Sequence, residues 1–106
     1  MVIKSGMKPI HPGEILREDI IPAMGVTVVE FAEMLKVSRV TASRLVNEKQ
    51  GISPEMALRL AALFGNSPLF WLNIQNTYDL KRLRLDKEVA GDIGAIRPYR
   101  ATAATT

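Results

Sequence analysis

The stretch 27-TVVEFAEMLKVSRVTASRLVN-47 constrains this chain more than any other. Thr27 and Glu30 have the capping-box spacing, with a hydroxyl at the N-cap and a carboxylate three residues on. Val28, Phe31, Ala32 and Leu35 follow at i, i+3, i+4 and i+7, the stripe of an amphipathic helix. Lys36 and Val37 leave room only for a tight turn. Ser38 is a second N-cap residue and opens another helix that reaches about Asn47. Two capped helices of similar length joined by so short a turn have a helix-turn-helix layout.

The rest of the chain supplies more helices. Pro12 stands at a plausible first helical position, and Ile15, Leu16, Ile20 and Ile21 make an apolar stripe opposite Arg17, Glu18 and Asp19. Pro22 is expected to end or bend this helix, and Gly25 closes the segment. Ser53-Pro54-Glu55 starts a fourth helix that ends at Phe64 with Gly65 behind it, and Ser67-Pro68 repeats the start signal for a fifth helix running to about Leu85. Sustained alternation and Asn-Gly hairpins are absent, so the expected class is all-α. The expected organisation is a flexible lead-in over 1–8, a helical domain over 9–85 and a flexible tail over 86–106, where Gly, Ala, Thr and Pro dominate.

The third helix sorts its residues into two faces. Ala42, Leu45 and Val46 share one apolar arc with Ser38 and should point inward. The opposite arc holds Arg39, Val40, Ser43, Arg44 and Asn47, with Thr41 at the flank. Arginine pairs in bidentate fashion with guanine O6 and N7, hydroxyls serve as adaptable partners, and a small apolar group meets the thymine methyl. Ser38 and Asn47 are placed for backbone phosphates, as is Thr27 with the helix N-terminus behind it. No acid points into this face. The bland reading of the same row is a solvated helix with two arginines on it. Lys36 stands where such turns usually carry glycine, which puts a strained backbone there if φ is positive, and Glu48 stands where glycine often follows the second helix.

Composition narrows the alternatives. Apolar residues are 47% of 106, enough for one core, and no apolar run approaches a membrane span. There is no cysteine, hence no disulfide and no thiolate metal site. The start lacks the apolar centre of a signal peptide, and the default location is the cytoplasm. A formal charge of +3 is a weak hint of an anionic partner. The single histidine, His11, with Glu14 three residues on, makes at best half a metal or acid–base site, and the pair reads more simply as a helix entry. No metal, cofactor or catalytic constellation is expected.

The segments 11-HPGEIL-16, 32-AEMLKVSRVTASRLVN-47, 53-SPEMALRLAALFG-65 and 67-SPLFWLNIQNTYDL-80 together resemble the HigA-type antitoxins of the XRE helix-turn-helix superfamily, over about residues 9–83. The resemblance implies a five-helix, lambda-repressor-like fold that binds double-stranded operator DNA as a homodimer. It implies a HigB-type ribonuclease toxin as partner and repression of the chain's own operon. By position, the family's groove contacts fall on Ser38, Arg39, Thr41, Ser43 and Arg44. Stand-alone regulators also belong to this superfamily, which is the alternative reading. Of the aromatics in the fifth helix, Trp71 and Tyr78 are seven residues apart on one face and are candidates to seal a dimer.

Overall fold

The computed structural model describes residues 8–100; residues 1–7 of the expected lead-in over 1–8 and the end of the tail, 101–106, lie outside the described residues. Everything regular among the described residues is helical. Helix α1 covers 12–24 in three continuous stretches, Pro12–Ile15, a π-wound Leu16–Ile20, and Ile21–Met24. Helices α2 (Val28–Leu35), α3 (Arg39–Val46), α4 (Pro54–Phe64) and α5 (Pro68–Leu85) follow, and α6 (Lys87–Gly94) comes last.

The helix starts are set by local chemistry. Thr27 and Glu30 form the reciprocal capping box, with the Thr27 amide donating to Glu30 Oε1 at 2.8 Å and the Glu30 amide to Thr27 Oγ1 at 3.0 Å. Ser38, Ser53 and Ser67 each accept a bond from an amide in the first turn of α3, α4 and α5. Such caps contribute about 1 kcal/mol each. Pro22 does not end α1. The preceding turns widen to π winding, in which the Ile21 amide reaches back to the Leu16 carbonyl. That winding shifts the carbonyls that the proline ring would otherwise strike.

The core gathers one face of each of the first five helices. Ile15, Leu16, Phe31, Leu35, Leu45, Leu60, Trp71 and Ile74 are all buried in it. Fully burying a side chain of this size contributes roughly 1.5–3 kcal/mol. Ala42, Leu45 and Val46 are buried, as the helical wheel requires.

The tail differs from expectation at its start. Asp86 caps α6, accepting from the Val89 amide at 3.0 Å, and residues 87–94 are helical rather than irregular. Glycine at 91 and 94 and the loss of apolar periodicity hide this helix in the sequence. None of its residues is buried.

Candidate nucleic-acid interface

Helix α3 presents the expected row to the outside. Arg39, Val40, Arg44 and Asn47 are exposed, and Thr41 and Ser43 are half-buried at its flank. Val40 is 66% exposed, the most open large apolar side chain of the first four helices. Among the described residues, neither Arg39 nor Arg44 has a carboxylate within 4.0 Å, whereas Arg17 and Arg59 are both paired. Among the described residues, the two guanidinium groups on α3 thus have no ion-pair partner.

The hydroxyl and amide residues are partly committed already. Ser38 Oγ accepts from the Thr41 amide at 3.1 Å and donates to Thr41 Oγ1 at 2.9 Å. Asn47 Nδ2 donates to Ser43 Oγ at 3.2 Å. The Thr27 amide is spent on Glu30, so at the start of α2 the donors left for an anion are those of Val28 and Val29. Val28 and Val29 also join Arg39, Val40, Ser43 and Arg44 around a shallow hollow between α2 and α3. Sequence reasoning does not single out Val29. Its signal is an apolar residue one step off the buried stripe of α2.

Three elements hold α3 in place. The first is the docking of α1. His11 caps that helix, its Nδ1 accepting from the Gly13 amide at 2.8 Å. His11, Pro12 and Gly13 are all buried. Gly13 lies so close to the Leu45 carbonyl that a Cβ there would overlap it. The motif HPGE thus brings the backbone of α1 against the backbone of α3, which only glycine permits. Burial keeps the His11 pKa below the ordinary 6.5, against the opposing pull of Glu48, Asp79 and Glu14. The neutral ring is the one that can accept the Gly13 bond.

The second and third elements are arginines. Lys36 has φ 61° and Glu48 has φ 62°, so both positions flagged in the sequence are left-handed without being glycine. Arg59 of α4 donates to the carbonyls of Leu35 at 2.9 Å and Lys36 at 3.1 Å, and Glu55 holds it from one turn earlier. Arg17 of α1 donates to the Val46 carbonyl at 2.6 Å and meets Glu48 at 3.2 Å and Glu18 at 2.8 Å. The ends of α2 and α3 are each closed by a guanidinium from another helix.

Of the two aromatics expected to seal a dimer, Trp71 lies in the core of its own chain and Tyr78 keeps part of its surface open. Trp71 is 2% exposed, its Nε1 donates to Asn66 Oδ1 at 2.9 Å, and its ring packs against Phe64 and Phe70. Tyr78 is half-buried and sets its ring edge-on to His11 at 4.8 Å. Trp71 thus serves the inside of one chain, while Tyr78 packs on His11 with one side and is open on the other. Exposed apolar residues lie further on, at Leu80, Leu83, Leu85, Ile93 and Ile96. Among the described residues, no group of three His, Cys, Asp or Glu side chains is placed to hold a metal ion, and no helix is long and apolar enough to cross a membrane.

Comparison with known proteins agrees with this geometry. The Helix-turn-helix family profile matches residues 16–72. Virulence-associated protein I of Dichelobacter nodosus is 44% identical over 85 residues, 80% of this chain and 79% of that protein. Antitoxin HigA-1 of Vibrio cholerae is 42% identical over 77 residues, 73% of this chain and 72% of that protein. The Pseudomonas aeruginosa antitoxin HigA, solved with the higBA promoter, superposes with a TM-score of 0.79 at 36% identity, covering 88% of this chain and all of that one. This chain belongs to the helix-turn-helix family, in the branch that holds the HigA-type antitoxins.

Proposed function

We propose that this protein is a DNA-binding autorepressor and antitoxin that acts in the cytoplasm and neutralises a HigB-type ribonuclease toxin. The observation that carries the reading is the pair of unpaired guanidinium groups, Arg39 and Arg44, flanking exposed Val40 on a helix held rigidly from behind. A relative of the same fold is solved with promoter DNA. Two copies insert their α3 helices into successive major grooves, roughly 34 Å apart. Arg39 and Arg44 read guanine, Thr41 and Ser43 adapt to neighbouring edges, and Ser38, Asn47 and the start of α2 at Thr27 hold phosphates.

Two measurements test this. Arg44→Ala is expected to weaken binding to the DNA upstream of the chain's own gene by about 1–3 kcal/mol while barely changing binding to random DNA. An equal loss on both would make Arg44 a phosphate contact only. For the dimer, we place the seam on the exposed apolar residues of the α5 end and α6, since Trp71 is buried within its own chain. Leu85 is 69% exposed, so Leu85→Asp should leave the fold intact. Sedimentation is expected to show this variant as a monomer; an unchanged dimer would move the seam elsewhere. The antitoxin half stands or falls with whether a small basic protein is encoded beside this chain and co-purifies with it.

A further inference from the structure

We propose that the hollow between α2 and α3 is a receptor for the 5-methyl group of thymine, so that this protein reads a methyl group as well as guanine. The inference rests on the DNA-binding reading above and assigns one of its bases. Val28, Val29 and Val40 supply the apolar lining of the hollow, from two separate helices, and Arg39, Ser43 and Arg44 supply its polar rim. Val29 is 41% and Val40 66% exposed, and neither belongs to the core. The core does not need valine at either place. A β-branched residue is a poorer helix former than alanine at an exposed position, and its isopropyl group stands in water. Convergence of both on the open side of the helix that also carries the unpaired arginines gives them a common target.

The chemistry of the groove limits what that target is. A phosphate needs donors, and the valine side chains have none. On the major-groove edges of the four base pairs, the thymine methyl is the one apolar group. Guanidinium groups on the rim at Arg39 and Arg44 favour guanine beside it. The read element is therefore a thymine next to guanine, with the methyl seated against Val40 and the wall completed by Val29.

Selection from a random-sequence pool supplies the DNA for the test. Duplexes enriched from that pool by the full-length protein serve as the probe, and each thymine is replaced in turn by deoxyuridine, which removes the methyl and keeps the pairing. At one thymine in each half-site, the wild-type protein is expected to lose about fourfold in affinity, the worth of one buried methyl-sized group. Val40→Ala should fold with a melting midpoint no lower than that of wild type, bind the thymine duplex more weakly and be indifferent to deoxyuridine. If wild type and Val40→Ala lose equally at the same thymine, the methyl acts through DNA shape and the receptor is wrong. If no thymine is sensitive in the wild type, the receptor is wrong while DNA binding stands. If no sequence is enriched at all, both readings fall.

Discussion

The two corners that bracket α3 carry the same backbone defect and repair it differently. At Lys36 and at Glu48 the chain takes a left-handed conformation that costs a non-glycine residue about 1 kcal/mol. At the first corner the side-chain repair comes from elsewhere: Arg59, steadied by Glu55 of its own helix, binds two carbonyls and ignores the Lys36 side chain. At the second, the left-handed residue takes part, because Glu48 is itself a partner of Arg17, which holds the Val46 carbonyl. The side chain at one corner is incidental and at the other it helps to close the helix. Glycine at such a corner relaxes the backbone in both cases, but only at the second does it also remove a contact.

Three experiments sharpen this contrast. The largest effect belongs to the docking that backs the second corner. Gly13→Ala drives a methyl into the Leu45 carbonyl, next to the residue that Arg17 caps, and should lower unfolding free energy by about 3 kcal/mol or more in urea titrations. A loss under about 1 kcal/mol would mean that α1 can lift away freely and does not position α3. The next effect separates the corners. Lys36→Gly is expected to stabilise the protein by about 1 kcal/mol, and Glu48→Gly to stay within about 0.5 kcal/mol of wild type as relaxed backbone and lost ion pair offset. Equal gains from both would show that the Arg17–Glu48 pair contributes nothing.

The smallest effect is a slope with pH. Burial lowers the His11 pKa in the folded protein, so below 6.5 the unfolded chain takes up the proton more readily than the folded one. Stability contributed by the neutral ring is complete above 6.5 and is lost as pH falls from there through the folded value. His11→Asn keeps an acceptor for the Gly13 amide and cannot titrate, so its stability between about pH 7 and 5 should fall less than that of wild type. Parallel curves would assign the slope to other groups.

What is legible in the sequence divides along the same line between local and distant contacts. Thr27, Ser38, Ser53 and Ser67 cap the helices that their positions announce, because a cap involves residues two or three apart. The inward trio of α3 follows from helical period alone. The left-handed corners are also foreseeable, as departures from a glycine pattern. Their remedies are not: Arg17 reaches a carbonyl 29 residues away and Arg59 one 24 away, and nothing in a local pattern records such a reach. Trp71 misleads for a related reason. Sharing a face with Tyr78 places two rings together, yet burial depends on Phe64 and Phe70 closing over one of them. The start of the tail misleads because two glycines outweigh a good cap at Asp86.

The arrangement of the clamps also bears on how such a protein diversifies. Arg17, Arg59 and Gly13 all grip the backbone of the helix-turn-helix unit, and none touches a side chain on the outer row of α3. Those outer residues are therefore free to vary without renegotiating the scaffold. New operators become accessible through a handful of codon changes, and a designer who wishes to retarget the protein has an alphabet of positions that the fold does not censor.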